Sequence, residues 1–136
     1  MSALTERVDE LLAAARDAME RGSYAPYSNF NVGAAVLAEG EVFAGANVEN
    51  ASYGLVMCAE RVALLKALSE GHRDFAMIAV VADTDKPTPP CGPCRQLLWE
   101  YCGDIPVVMA NLRDIAAQHQ MRDLLPLPFD GRLLKT

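Results

Sequence analysis

Helical and strand patterns alternate along this chain, and they predict an α/β fold with one mixed sheet and helices on both faces. Three observations carry that expectation. Apolar residues recur at helical spacing near the N-terminus. A small-residue hairpin follows. Then come two apolar strand patterns, each in sequence after or before a helix that opens on a cysteine.

The sequence has 136 residues, enough for a single domain spanning 1–136 with a real core. Its 51% hydrophobic and 22% charged content is ordinary for a globular protein. The net charge of −6 disfavours a polynucleotide partner, because binding to nucleic acid relies on cationic neutralisation of phosphates. Glu6, Arg7, Asp9 and Glu10 interrupt any apolar signal core, and no apolar run approaches the roughly 20 residues that span a bilayer. The expectation is a cytoplasmic protein with no membrane partner. In a reducing compartment, four cysteines point to metal ligands, catalytic groups or core residues rather than disulfides.

Leu4, Val8, Leu11, Leu12, Ala15 and Met19 mark the first amphipathic helix, with Ser2 or Thr5 as cap and Gly22 as stop. Ser23 to Phe30 is turn-rich, and its aromatics Tyr24, Tyr27 and Phe30 are either core plugs or pocket walls. Val32 to Ala38 and Glu41 to Val48 flank the turn signal Glu39-Gly40 and predict an antiparallel hairpin. Asn47 and Glu49, two apart at the strand end, share a face. They suit either a solvated end or hydrogen bonding to hydroxyls such as those of a sugar. Cys58 to Leu68 is a helix apolar over much of its surface, hence buried. Phe75 to Ala82 reads as a central strand, covered on both faces. After a proline-rich loop, Cys91 to Tyr101 is a helix with Pro93 in its first turn, where a missing N–H costs little. Ile105 to Ala110 is a strand. Asn111 to Gln120 fits a short helix or a turn followed by a strand, and Leu124 to Phe129 is a proline-rich wrapping segment.

Cys58, Cys91 and Cys94 all fall in first helical turns, where the helix dipole favours thiolates. Three protein ligands with an open fourth position are the pattern of a catalytic zinc site. Cys102 lies roughly 12 Å along its helix from Cys94 at about 1.5 Å per residue, so it reads as a core thiol. His72 and His119 follow no zinc-ligand spacing and read as surface or packing residues. Glu60, beside the cluster, is placed to move protons. Three thiolates around Zn²⁺ leave a net charge near −1, and Arg61 is the natural counter-cation.

Cys58-Ala59-Glu60 with Pro90-Cys91-Gly92-Pro93-Cys94 matches the zinc nucleoside deaminase pattern, in which a glutamate that is not a ligand acts as acid and base. With Tyr24-Ala25-Pro26-Tyr27-Ser28, Val32-Gly33-Ala34-Ala35, Asn47-Val48-Glu49-Asn50-Ala51, Cys94-Arg95-Gln96 and Leu124-Leu125-Pro126, the chain resembles the small homotetrameric cytidine deaminases from about Tyr24 to Phe129. The resemblance implies a three-layer α/β/α fold with a mixed five-stranded sheet. It implies hydrolysis of cytidine and 2′-deoxycytidine to the uridine forms plus ammonia, as in pyrimidine salvage. It implies zinc on Cys58, Cys91 and Cys94, and Glu60 as proton shuttle to ring N3 and the leaving amine. Ribose contacts fall to Asn47 and Glu49, a packing contact to Phe30, and a backbone contact with the ring to Ala59. Tyr53 and Phe129 would complete the pocket of a neighbouring subunit, and Asp114 to His119 would form an edge strand against Pro106–Ala110. The chain departs from the family's usual pattern at Asn31, a common proline position, at Pro93, and at Leu127-Pro128.

Two other readings account for less. Cys91-Gly92-Pro93-Cys94 is also the thioredoxin tetrapeptide, but that reading leaves Cys58-Ala59-Glu60 and Asn47-Val48-Glu49 unexplained. A purely structural zinc module requires a fourth ligand, which the spacing does not offer. A related deaminase for another aminopyrimidine nucleoside, such as blasticidin, is a closer rival, against which Asn47 and Glu49 argue for an ordinary ribose pocket.

Overall fold

The computed structural model describes residues 3–113 and 116–134, with side chains from Arg7 onward. The expected cap at Ser2 or Thr5, the side chain of Leu4, and the start of the edge strand at Asp114 lie outside the described residues. In order, the elements are α1 (Ala3–Gly22), β1 (Val32–Ala38), β2 (Glu41–Ala46), α2 (Ala59–Ser69), β3 (Phe75–Ala82), α3 (Gly92–Cys102), β4 (Pro106–Ala110), β5 (Ala116–Gln120) and the short α4 (Met121–Leu124). Single 3₁₀ turns occupy Tyr53–Leu55 and Gly131–Leu134.

The sheet runs β2-β1-β3-β4-β5 and is mixed. β1 pairs antiparallel with both β2 and β3, β3 pairs parallel with β4, and β4 pairs antiparallel with β5. Side chains alternate between the sheet faces. Val32, Ala34 and Val36 join Ile78, Val80, Val107 and Met109 beneath α2 and α3. Ala35 and Leu37 join Met77, Ala79, Val81 and Val108 beneath Leu11, Ala15 and Met19 of α1. Helices therefore cover both faces in three layers, which is why every residue of β1 is buried.

Small residues set the layer spacing. A β-carbon at Gly33 would lie 1.9 Å from the carbonyl oxygen of Ala15, so α1 rests on the backbone of β1. A β-carbon at Gly45 would lie 2.7 Å from Val62 Cγ1 and 2.8 Å from the amide nitrogen of Ala63. Gly45 thus lets α2, which carries Cys58 and Glu60 at its start, sit directly on β2.

One segment differs from the sequence reading, and one that it left open takes the strand alternative that the resemblance implies. β2 stops at Ala46 rather than Val48. Val48 leaves the main sheet to bridge Tyr24 on one side and Met57 on the other. At the other end of the chain, the alanines and glutamines after Asn111 form strand rather than helix, because an Asx turn from Arg113 N–H to Asn111 Oδ1 (2.9 Å) reverses the chain onto β4. The proline-rich segment does wrap α3: Arg95 Nη1 donates to the Leu124 carbonyl (2.9 Å) and Gln96 Nε2 to the Phe129 carbonyl (2.6 Å).

The close approach at Gly45 is testable. Gly45→Ala should lower stability in urea unfolding by about 1–3 kcal/mol, the usual cost of overpacking. Gly54→Ala, with nothing within 4 Å of the new methyl, should stay within about 0.5 kcal/mol of the parent.

Candidate metal centre and catalytic cleft

Two helices begin at one point. Cys58 is the N-cap of α2 and Cys91 the N-cap of α3, both with extended backbone, and neither sulfur makes a capping bond with its helix. The thiols are free to face each other. Cys58 Sγ lies 3.8 Å from Cys91 Sγ, and Cys91 Sγ lies 3.3 Å from Cys94 Sγ. All three sulfurs fall within 4.8 Å of one another. Tetrahedral zinc with Zn–S bonds of about 2.3 Å separates its sulfurs by about 3.8 Å, so the donor set and its spacing fit that ion. A disulfide needs about 2.05 Å, and all four cysteines are free. Cys102 stands outside the cluster, and its burial against the core raises its thiol to about 12.

Cys94 is 1% exposed while Cys58 is half-buried and Cys91 exposed, so water screens charge least on the Cys94 side. The hydrogen bond with Cys94 brings Cys58 down to about 5, against the opposing effect of its own burial, and Arg61 adds to the lowering. The same sharing drives Cys94 upward. Arg61 Nη2 sits 3.5 Å from Cys58 Sγ, and its guanidinium is held in the charged form first by that contact. Glu60, in the first turn of α2, is 5% exposed, and burial raises its carboxyl above the ordinary range. A carboxyl so raised is suited to taking and returning a proton near neutral pH.

A cleft of about 330 Å³ opens against this corner. Val32 and Val80 of the sheet, with Ala59, Glu60, Cys58 and Cys91, line its inner part, and Phe30, Asn47 and Glu49 line the wall opposite. Asn47 and Glu49 face the same side, as their spacing predicts, although they lie beyond the strand proper. The Val48 bridges hold them there: Val48 N–H donates to the Met57 carbonyl (2.9 Å), and the Tyr24 backbone bonds on either side of it.

Both side chains also clasp the loop before β1. Asn47 Oδ1 accepts from Val32 N–H (3.0 Å), and Asn47 Nδ2 donates to the Phe30 carbonyl (2.7 Å). Glu49 Oε1 accepts from Tyr27 N–H (2.9 Å) and Ser28 N–H (3.0 Å), and Oε2 accepts from the Ser28 hydroxyl. The Ser28 bonds, hydroxyl first, hold the Glu49 carboxyl below the usual carboxylate range.

Tyr53 and Phe129 do not line this cleft. Tyr53 is 79% exposed beside a smaller groove of about 200 Å³ that shares Ser28 and Glu49 with it. Phe129 is 59% exposed, its backbone tied to α3. Ser28, Met57, Thr88 and Pro89 line the cleft and were not singled out by sequence. Only the run of prolines at 87, 89 and 90 hinted that the last two belong to a rigid wall.

Residues 5–110 match the family described as "Cytidine and deoxycytidylate deaminase zinc-binding region". The chain is 56% identical over 110 residues to a cytidine deaminase of Halalkalibacterium halodurans, covering 79% of this chain and 83% of that one. It is 47% identical to a cytidine deaminase of Sporosarcina psychrophila, covering 90% of each. A crystal structure of cytidine deaminase from Burkholderia pseudomallei superposes with a TM-score of 0.85 at 47% identity, covering 95% of this chain and 100% of that one.

Metal analysis checks the donor set. The purified protein should carry zinc in equimolar amount, Cys91→Ser should lose it or hold it far more weakly, and Cys102→Ser should keep it.

Proposed function

The chain belongs to the cytidine and deoxycytidylate deaminase zinc-binding family, and from that premise we propose that it hydrolyses cytidine and 2′-deoxycytidine to uridine and 2′-deoxyuridine with release of ammonia. The observation that carries the reading is the buried Glu60 carboxyl beside three clustered thiols, at the bottom of a nucleoside-sized cleft.

Cys58, Cys91 and Cys94 would hold the zinc ion, which would supply Lewis-acid chemistry toward water when bound. Glu60 accepts one proton from water and delivers it to ring N3, then takes the second from the oxygen added at C4 and gives it to the departing amine, so that both water protons are placed and ammonia leaves. The helix N-termini and Arg61 offset the negative charge of the thiolates. The backbone of Ala59 meets the pyrimidine edge, and Phe30 packs on the nucleoside.

Counting hydrogen bonds supports a ribose role for the opposite wall. Asn47 Nδ2 carries two N–H groups and spends one on Phe30, which leaves a donor. Glu49 Oε1 is filled by two N–H groups, whereas Oε2 takes only the Ser28 hydroxyl, which leaves an acceptor. A sugar hydroxyl donates and accepts at once and suits that pair.

The family name covers both nucleosides and a nucleotide. Among the described residues that line the cleft, Glu49 and Glu60 are acidic and none is Lys or Arg. A phosphate there would meet negative charge with no cation to offset it, so we assign the nucleoside. No described helix is long and apolar enough to cross a membrane. We further propose a cytoplasmic homotetramer serving pyrimidine salvage, in which the exposed Tyr53 and Phe129 face a neighbouring subunit's cleft.

The test is an absorbance assay on cytidine with and without a zinc chelator. Glu60→Gln should retain zinc yet lose about 10²–10⁴-fold in kcat, the usual contribution of a positioned acid–base group. Near-normal turnover by that variant removes Glu60 from the mechanism. Arg61→Gln should lower kcat, and parent-like rates and zinc affinity would dismiss the charge argument. Deoxycytidylate should be a far poorer substrate than deoxycytidine.

A further inference from the structure

Three hydrogen bonds hold the Asn47 side chain, and one of them comes from Ser23, which lies outside the cleft. Ser23 Oγ stands 2.5 Å from Asn47 Oδ1 and 2.8 Å from Asn31 Oδ1. A hydroxyl has one proton and cannot donate to both oxygens. The orientation of Asn47 is fixed on both sides by the main chain, since Oδ1 receives Val32 N–H and Nδ2 gives to the Phe30 carbonyl. The Ser23 proton therefore goes to Asn47. Asn31, which is exposed, is free to turn its amide by half a rotation and donate N–H to the Ser23 oxygen. The result is a directed relay, Asn31 N–H to Ser23 Oγ, and Ser23 O–H to Asn47 Oδ1.

We propose that Ser23 and Asn31 are positioning residues for ribose recognition, holding the Asn47 amide so that its spare N–H points at a sugar hydroxyl. The relay gives Asn47 Oδ1 a second donor, which reinforces the orientation set by the main chain and narrows the direction of the spare N–H. It also gives Asn31 a task that a proline at that position could not perform, because proline has no side-chain donor. The inference rests on the reading of Asn47 as a ribose ligand.

The experiment compares kcat/KM for cytidine with kcat/KM for 2′,3′-dideoxycytidine, which lacks both ring hydroxyls. The parent should favour cytidine. In Ser23→Ala and in Asn31→Ala that preference should fall about fivefold, the effect of one net hydrogen bond, with the loss seen mainly as KM for cytidine. Asn31→Asp should lose at least as much, because the new carboxylate competes for the Ser23 proton instead of donating. A purely structural role would depress both substrates alike and leave the ratio unchanged, and that result overturns the inference. A parent that does not distinguish the two substrates overturns the ribose reading of Asn47 and the inference with it. Should Ser23→Ala fold poorly, the two variants at the exposed Asn31 decide the matter, with thermal midpoints as the control for folding.

Discussion

The site depends on holding like charges together at the edge of the core, where water screens them only in part. Three thiol groups and a carboxyl share one corner, and two of the four, Cys94 and Glu60, are almost wholly buried. Left to themselves they repel, and burial makes each ionisation harder. The shifts record that conflict: Cys58 is driven down while Cys94 and Glu60 are driven up. What reconciles them is a divalent cation, two helix N-termini and the guanidinium of Arg61. Net charge matters chemically, because a zinc ion surrounded by three thiolates is a weaker Lewis acid than one with neutral ligands. Arg61 Nη2, 3.5 Å from Cys58 Sγ, stands where a cation would offset that excess, as proposed above.

Bringing two helix starts to one point is a packing problem before it is a chemical one. The face of the sheet under α2 is built from small residues, Ala34 among them, and the facing side of α2 offers Ala59, Ala63 and Ala67. Gly45 removes the last obstacle on β2. Larger side chains would lift α2 from the sheet and carry Cys58 away from Cys91. The parallel β3–β4 pair serves the other half, since the crossover between those strands carries α3 back over the same face, with Leu98 and Trp99 packed against the shared core. The two helices that hold the ligands are thus fixed against one surface.

The metal corner was legible in the sequence because its signals are local. A cysteine at each helix start and a glutamate in the first turn say where the groups stand without knowledge of the rest of the fold. The layers were legible too, since the period of the apolar residues in α1 and the continuous apolar run of β3 state which faces are covered. Local pattern failed where a side chain competes with a strand. β2 reads as continuing to Val48, yet the main chain leaves β1 once the Asn47 amide takes the Val32 N–H that another strand residue would have bonded. At Ala116–Gln120 local pattern left helix and strand both open, since alanine and glutamine favour a helix in isolation, and pairing with the free edge of β4 gives the strand that the resemblance implies. Thr88 and Pro89 were silent because a loop has no period from which to read its direction. Tyr53 and Phe129 are exposed here, and their proposed role concerns a surface that one chain does not contain.

The double use of Asn47 and Glu49 has a thermodynamic reason. A binding wall made only of solvated side chains must be ordered when the ligand arrives, at about 0.5–1.5 kcal/mol for each rotamer-rich side chain. Here the ordering is done in advance by the chain itself. Six hydrogen bonds from Ser23, Tyr27, Ser28 and the main chain of Phe30 and Val32 converge on these two side chains, three on each. Ser28 extends the order to the aromatic wall, since its oxygen accepts the Phe30 N–H at 3.1 Å while its proton goes to Glu49. The turn-rich stretch from Ser23 to Asn31, which has almost no regular structure of its own, is thereby as fixed as a strand end. Its irregularity is the reason it can offer the N–H groups of Tyr27 and Ser28 to Glu49, because a residue in a sheet ladder would already have spent them. The bonds that steady the loop are thus the ones that orient the proposed ribose contacts, so a substitution that loosens the loop should also weaken them.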